Sequence, residues 1–360
     1  MQSGIQDKSK TEPLLSIQYV RAIAATSVLW WHITEQKPLL GCALGKIGHF
    51  GDFGVDLFFV VSGFVMVLVT TNRESRPSDF MTMRAIRIVP IYWLYTFAAA
   101  AVLLIRPGLF SSNELTWRHF LLSLAFIPHA LAKYPTDTSP LIKIGWTLNY
   151  EMFFYVLFAL SMLVSYRRRV VMTGAIITGL VLVGLFGIGA NTVLGTFFTR
   201  DIMLEFVFGM AIASLPRQLA LGWGKWSTMA VIAGAGLCLI VSSFHQDWPR
   251  ALRAGVPAGA MVWGLVALER RNPLARNAPL LEIGNASYSV YLFQLYPIAV
   301  FRALAEHTEV ASCRAVPATT FVLACLGSVL VGGVLSYRLI EKPTLKLLHQ
   351  AVGSLRPRTT

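Results

Sequence analysis

The feature that most constrains this chain is a succession of long apolar segments that continues almost to its C-terminus. Segments of about 20 apolar residues match the hydrocarbon core of a bilayer. Ten such spans are predicted, at residues 14–33, 52–71, 84–105, 146–165, 169–189, 199–215, 226–244, 252–269, 286–304 and 316–339. Because 55% of the residues are hydrophobic and only 14% are charged, an ordinary soluble domain is excluded. The sequence therefore predicts an all-α, polytopic membrane protein.

The basic residues predict the orientation of these spans. The net charge of +13 would suit nucleic-acid binding, but the Lys and Arg residues form short clusters between apolar spans and share no single face. With the N-terminus inside, nineteen of them fall on the cytoplasmic side and eleven outside, and Arg21 lies within the first span. This positive-inside bias predicts ten helices with both termini cytoplasmic. A shorter apolar run at 118–130 is predicted to be interfacial or re-entrant, because it is below spanning length.

No separate soluble domain is predicted. We expect a cytoplasmic N-terminal segment at 1–13, a transmembrane domain at 14–343 and a cytoplasmic tail at 344–360. The first span lacks a small-residue cleavage site, which favours a retained helix over a signal peptide. Four cysteines without CxxC spacing predict neither a metal site nor a disulfide framework.

Two ionisable side chains share one face of the first span. Arg21 and His32 are eleven residues apart, which places them on the same side of a helix and roughly 16 Å apart along its axis. Polar groups in lipid are costly and usually face a cavity, so this face suggests a site for an extended ligand. The alternative is that Arg21 reaches the interface and His32 merely ends the helix.

Two acids are predicted to lie at the level of His32. In the predicted topology, Asp56 on the second span and Glu151 on the fourth span both sit a turn or so below the outer surface. A histidine flanked by carboxylates is suited to proton transfer, so either acid is expected to orient His32. The alternative is that each acid is solvated or stabilised at its helix N-terminus.

A third cluster opens the third span at the cytoplasmic side. Arg84 and Arg87 are three residues apart, so they share a helix face and could hold one anionic group together. Ordinary positive-inside anchoring is the competing interpretation. Because Arg21 faces the same side, three guanidinium groups around one mouth favour a phosphate-bearing ligand that enters from inside.

Six motifs in register carry a family resemblance. They are SIQYVRAIAA at 16–25, GVDLFFVVSGF at 54–64, RAIRIVPIYW at 84–93, WTLNYE at 146–151, SYSVYLFQLYP at 287–297 and IEKP at 340–343. Their order resembles acyltransferase family 3 of integral membrane proteins, and the first motif resembles the branch of bacterial exopolysaccharide O-acetyltransferases.

This resemblance implies ten transmembrane helices in a bacterial inner or plasma membrane and a cytoplasmic acyl-CoA donor, with acetyl-CoA expected and no metal. It also implies an acceptor hydroxyl on an exopolysaccharide, another surface glycan or a lipid-linked oligosaccharide at the outer side. By the same resemblance His32 is the essential catalytic residue. The coenzyme A contacts would be Arg21, Arg84 and Arg87, and the remaining motif positions are Asp56, Ser62, Gly63, Trp146 and Glu151.

One position departs from the family pattern. Many members have a histidine where this chain has Gln294, and glutamine cannot titrate. His32 is then the one histidine predicted inside the membrane, and it would deprotonate a sugar hydroxyl as that hydroxyl attacks the thioester. An acyl-histidine intermediate is the alternative. Tyr288 and Tyr291 are predicted to pack or to line a pore.

Two other classes of protein were weighed. A transporter of a glycan precursor or small anionic solute would also have about ten helices with charged residues at mid-depth. However, the second half of the chain has no counterpart of the Arg21–His32 helix, so no internal duplication supports this class. A membrane scaffold or sensor would have no use for the clustered Arg, His and acidic side chains.

Overall fold

The computed structural model describes residues 14–36, 50–71, 75–107, 109–110, 115–131, 137–216, 222–305 and 315–355. Within these ranges all regular structure is helical and no strand occurs, which confirms the all-α prediction. In chain order the α-helices are α1 (Leu15–Thr34), α2 (Gly54–Thr71), α3 (Pro77–Ile105), α4 (Trp117–Leu124), α5 (Trp146–Val164), α6 (Arg169–Leu185), α7 (Val193–Phe198), α8 (Leu204–Ser214), α9 (Lys225–Ser242), α10 (Val256–Arg271), α11 (Ala278–Phe293), α12 (Leu295–Ala305), α13 (Ala315–Ser336) and α14 (Lys342–Leu355).

Six helical stretches of the described residues are long and apolar enough to cross a membrane. They are Gly54–Thr71, Pro77–Ile105, Lys143–Val164, Lys225–Ser242, Ala251–Arg271 and Pro317–Val352. Helix α1 has 20 residues, but polar side chains such as Gln18, Arg21 and His32 lower its mean hydropathy. The chain is thus a multi-pass membrane protein, while ten spans with two cytoplasmic termini stay a prediction.

The predicted span at 286–304 is wrong in its continuity, because it consists of parts of two helices that meet at Gln294. Pro297 lacks the N–H group that would bond the carbonyl oxygen of Phe293, so the helical ladder is interrupted there. Helix α11 also begins earlier than predicted. The side chain of Asn277 caps it by accepting a backbone N–H of the first turn.

The connection after α3 and the C-terminal region differ in how well they were predicted. Helix α4 has eight residues, which is too short to span and agrees with the interfacial interpretation of 118–130.

At the C-terminus, α13 continues through the π-helical turn Tyr337–Glu341 into α14. Most of the predicted tail at 344–360 is therefore helical, while 1–13 and 356–360 lie outside the described residues.

Glycine allows close contact between α2 and α8. A Cβ atom on Gly63 would lie 2.1 Å from the carbonyl oxygen of Phe206, and one on Gly209 would lie 1.9 Å from that of Val60. Such distances admit no side chain, so the two backbones pack directly against each other, as small residues permit in membrane helices. Gly63 therefore has a packing role at this contact.

Helix α1 is held between α2 and α11 in the same manner. A Cβ atom on Gly54 of α2 would lie 2.4 Å from the carbonyl oxygen of Ala24, and one on Gly284 of α11 would lie 2.1 Å from that of Gln18. The face of α1 that carries Arg21 is thereby fixed among its neighbours. Helices α3 and α5 complete the wall of the cavity described next.

Candidate active site

A narrow cavity of about 150 Å³ lies among α1, α2, α3, α5 and α11. We call it the donor cavity. Most of its surface is apolar, and the polar groups are few and convergent, as in most small-molecule sites. Of the nine residues that the sequence predicts for the site, five line it: Arg21, Ser62, Arg84, Arg87 and Glu151. Tyr288 and Tyr291 also line it, as predicted.

Two of the three arginines in the donor cavity have no acidic partner among the residues that the structure describes. The guanidinium group of Arg21 makes no ion pair or hydrogen bond there. The Nε atom of Arg84 is buried without an acceptor, and its guanidinium carbon lies 6.0 Å from the ring centre of Phe80. Both guanidinium groups thus lack an ion pair, although Glu151 lines the same cavity, and buried cations without a directly paired acid favour an anionic ligand.

Arg87 differs from these two. Its guanidinium group forms an ion pair with Glu341, whose side chain is fully buried and also accepts a hydrogen bond of 2.6 Å from Ser289 Oγ. Part of the charge of Arg87 is therefore neutralised within the protein. The three guanidinium groups of the prediction thus consist of one group with an internal ion pair and two groups without one.

Glu151 is held by donors from two helices. Its Oε1 atom accepts a hydrogen bond of 3.0 Å from Ser62 Oγ on α2 and another from the Tyr155 hydroxyl one turn along α5. Burial of a carboxylate is costly unless such donors satisfy it. The arrangement fixes this carboxylate at the wall of the donor cavity.

His32 lies near the end of α1, outside the lining of the donor cavity. Its ring is partly buried and contacts the ring of Trp31, with 4.6 Å between the ring centres. Among the residues that the structure describes, Lys143 is the charged residue close enough to act on it. Within the described ranges, no acidic side chain hydrogen-bonds the imidazole.

The predicted orientation of His32 by Asp56 or Glu151 is therefore wrong. Asp56 is fully buried and binds Arg250 in a bidentate ion pair, with oxygen–nitrogen distances of 2.9 and 2.7 Å. The second guanidinium nitrogen also donates to the backbone oxygen of Asp52, at 3.1 Å. A charge-assisted bidentate pair is stronger than a neutral hydrogen bond to imidazole, so it determines where Asp56 points.

A further acid at this pair was missed by the sequence reasoning. Glu205 of α8 is fully buried, its carboxyl group lies beside that of Asp56, and neither of its oxygens has a hydrogen-bond donor among the described residues. We call Asp56, Arg250 and Glu205 the Asp56 cluster. Glu205 is one of two acidic residues in the predicted span 199–215. An acid inside an apolar span is a candidate for function, and this was the signal available in the sequence.

Trp146 also lies apart from the donor cavity. Its side chain is partly buried and meets the ring of Tyr150 edge to face, with 5.8 Å between the ring centres. The turn at Lys143–Gly145 just before it links the two regions, because the Tyr291 hydroxyl donates to the backbone oxygen of Ile144 at 2.7 Å. That hydroxyl is also 2.9 Å from Thr147 Oγ1.

A pair of histidines lies outside the predicted spans. His119 Nδ1 and His129 Nε2 are 2.6 Å apart, and His129 Nδ1 is 2.8 Å from the backbone oxygen of Ile127. Burial and the neighbouring His129 lower the pKa of His119 from 6.5 to about 4, and burial also lowers the pKa of His129. Among the described residues, no group of three or more His, Cys, Asp or Glu side chains is placed to hold a metal ion.

Several known proteins are similar to this chain over most of its length. The chain is 34% identical over 313 residues to the exopolysaccharide production protein ExoZ of Rhizobium meliloti (strain 1021), covering 84% of this chain and 93% of that protein. It is 26% identical to the acyltransferase MdmB of Streptomyces mycarofaciens, covering 96% and 94%. It is 24% identical to the O-acetyltransferase OatA of Staphylococcus aureus, covering 97% of this chain and 61% of OatA.

No solved structure matches the chain. The model of one protein family, described as an acyltransferase domain, matches residues 14–337. That range contains the donor cavity, the Asp56 cluster and His32. The chain therefore belongs to acyltransferase family 3, a family of membrane acyltransferases.

Proposed function

We propose that this protein transfers an acyl group, expected to be acetyl, from cytoplasmic acyl-CoA to a hydroxyl of an exopolysaccharide or another surface glycan. The observation that carries the proposal is the presence of two unpaired guanidinium groups, on Arg21 and Arg84, in a narrow and mostly apolar cavity. A thioester donor has the matching chemistry, because it joins anionic phosphates to a slender and largely uncharged arm. The relatives named for exopolysaccharide production and O-acetylation support the choice of acceptor and acyl group.

In this proposal the donor phosphates bind at the arginines and the thioester arm runs toward the outer end of α1. Arg21 and Arg84 contact the phosphates directly, and Arg87 takes part while held by Glu341. The direction follows from the predicted topology, with ten spans, both termini in the cytoplasm and Arg21 nearer the cytoplasm than His32. The proposed location is the inner or plasma membrane of a bacterium.

His32 is the proposed general base. The acceptor oxygen attacks the thioester carbonyl carbon while its proton passes to the imidazole of His32. The carbon–sulfur bond then breaks, and the departing thiolate of coenzyme A takes up the proton that His32 received, which returns His32 to its neutral form. Glu151 accepts hydrogen bonds from Ser62 and Tyr155, and we propose that it contacts the donor in the cavity. Asp56 acts indirectly by holding α2 through Arg250.

The direct test uses purified protein in sealed vesicles of one orientation. Acetyl-CoA is supplied at the cytoplasmic face and a glycan acceptor is enclosed at the other face. We expect acetylated glycan on the acceptor side and free coenzyme A on the donor side. Passage of intact acetyl-CoA across the membrane would instead indicate the transporter class, and product on the donor side would indicate a cytoplasmic enzyme.

The residue test replaces the proposed base. His32→Ala should reduce acetyl transfer by about 10²- to 10⁴-fold, the usual contribution of a general base, with unchanged insertion and accumulation. His245→Ala, at an exposed histidine, is the matched control and should keep full activity. If His32→Ala transfers acetyl at the wild-type rate, the proposed mechanism is wrong.

A further inference from the structure

A second and wider recess, of about 600 Å³, lies beside the donor cavity. We call it the mouth recess. Arg21 and Arg87 line both spaces, so the two adjoin at these guanidinium groups. The other polar residues of the mouth recess are Asn285, Tyr337, Lys342, Lys346, His349 and Gln350. Four of those six belong to α14, which lies beyond the IEKP motif except for Lys342 and Pro343.

One face of α14 is basic and points into the mouth recess. Lys342, Lys346, His349 and Gln350 are spaced at intervals of four, three and one residues, so they lie on one side of the helix. All four side chains are exposed. In the described part of the chain none of them has an acidic partner.

The acidic residues around the mouth recess are already neutralised by other residues. Glu341 pairs with Arg87, and Glu282 pairs with Arg338 at 2.7 Å. The charge left in the recess therefore comes from Arg21 and the two lysines of α14 and is positive. Unpaired ammonium groups at a recess bind phosphate as point charges.

We infer that the basic face of α14 binds the outer phosphate of the nucleotide part of the donor, while Arg21 and Arg84 bind the phosphates nearer the thioester arm, which lies in the donor cavity. This inference rests on the proposed function and extends it to α14, of which only Lys342 and Pro343 belong to the six motifs. Size is consistent with the division, because the recess is the larger space, at about 600 Å³ against about 150 Å³, and the nucleotide is the larger part of the donor. The phosphate of an anionic lipid headgroup has the same chemistry, and the experiment separates the two sources.

The test measures binding of adenosine 3′,5′-bisphosphate to the full-length protein in lipid nanodiscs by calorimetry. The double variant Lys342→Gln/Lys346→Gln should bind it about ten-fold more weakly than the wild type, as expected for two partly exposed ion pairs. The loss should shrink as the salt concentration rises. Lys342→Arg/Lys346→Arg, which keeps both charges, should retain affinity and shows that the helix still forms.

A matched control removes the same charge elsewhere. Arg168→Gln/Lys225→Gln changes two exposed residues outside the lining of the mouth recess and should leave nucleotide affinity unchanged. An equal loss of affinity in this control would show that net charge alone causes the effect, and it would overturn the inference. So would wild-type affinity in the α14 double variant, or a loss that appears only in nanodiscs containing phosphatidylglycerol.

A nucleotide-free donor distinguishes this inference from the proposed function. With acetyl-pantetheine, which lacks the nucleotide, the α14 double variant should transfer acetyl at the wild-type rate, whereas with acetyl-CoA its KM should rise about ten-fold. Equal losses with both donors would contradict the assignment of α14 to the nucleotide. If no acyl transfer occurs in any variant, the proposed function fails, while the binding measurement still decides the role of α14.

Discussion

The Asp56 cluster and the donor cavity both place charged side chains among apolar helices, but they treat those charges in opposite ways. In the Asp56 cluster, Arg250 satisfies Asp56 with two hydrogen bonds and the pair is closed within the protein. In the donor cavity, Arg21 and Arg84 have no acidic partner among the described residues. A closed ion pair holds helices in place, whereas an unpaired cation at a cavity is available to a ligand.

The difference also changes what an intramembrane charge indicates. From sequence alone, every ionisable residue in a span is a candidate for function, because its burial is costly. The structure divides such residues by their partners. Asp56 and Arg87 have partners that neutralise them, and Glu205 lies next to one of these pairs. Loss of a paired residue is expected to lower stability, and loss of an unpaired residue is expected to lower affinity.

The largest expected effect follows from breaking the closed pair. Arg250→Gln leaves Asp56 buried without its cation, which should lower the free energy of unfolding by about 3–5 kcal/mol. Thermal unfolding of the protein in detergent measures this. The double variant Asp56→Asn/Arg250→Gln removes both charges and should recover much of the loss. Equal stability of wild type and Arg250→Gln would show that this pair does not hold the helices.

A smaller effect, on ligand affinity and not on stability, is expected in the donor cavity. Arg84→Gln should weaken coenzyme A binding about ten- to a hundred-fold, because a charge-assisted hydrogen bond to phosphate contributes about 1.5–3 kcal/mol. Its unfolding temperature should stay close to that of the wild type, because no internal partner is lost. Arg84→Lys should restore only part of the affinity, since lysine lacks the planar fork.

Calorimetric titration with coenzyme A checks this second prediction, and Arg168→Gln is the control for charge alone. Should Arg84→Gln bind coenzyme A as the wild type does, Arg84 would be a topology anchor. Should it unfold as readily as Arg250→Gln, the division between paired and unpaired charges would fail.

The smallest effect concerns the histidine pair outside the predicted spans, where no membrane charge is involved. The pKa of His119 is lowered to about 4 in the folded protein and is about 6.5 when unfolded, so the unfolded state binds more protons between these values. Stability should therefore fall as the pH drops from about 6.5 toward 4, with about 1 kcal/mol lost at about pH 5.5. Above pH 7 this contribution is complete.

Unfolding midpoints measured across that pH window check the third prediction. His119→Gln removes the titrating group and should flatten the pH dependence, while His245→Gln, at an exposed histidine, should leave it unchanged. A wild-type profile that is already flat between pH 4 and pH 7 would contradict the low pKa of His119.

Local signals predicted the helices well and the partners poorly. The span at 52–71 became Gly54–Thr71, because an uninterrupted apolar run decides both length and type. In contrast, the break at Gln294 depends on a proline three residues later. The partner of Asp56 is 194 residues away, and that of Arg87 is 254 residues away. Nothing in the local pattern specifies such pairs.

The candidate site was predicted in the same uneven way. The sequence analysis placed Arg21, Arg84 and Arg87 around one space, and all three line the donor cavity. Glu151 was predicted at the level of His32 and instead lines the same cavity as these arginines. The predicted contact of His32 with a carboxylate is absent among the described residues, since Asp56 pairs with Arg250, which lies in a connection that no local pattern links to Asp56. Gly63 was taken as a motif residue, and its role in the close contact of α2 and α8 became visible only in three dimensions.

The helix that runs from α13 through α14 has a consequence for the position of the mouth recess. Its apolar stretch Pro317–Val352 has 36 residues, which at about 1.5 Å per residue makes roughly 54 Å. The hydrocarbon core of a bilayer is only about 30 Å thick. Because this length exceeds the hydrocarbon thickness by about 24 Å, we expect the turns that carry the exposed Lys342 and Lys346 to lie at the membrane surface, where a solute can reach them from the aqueous phase.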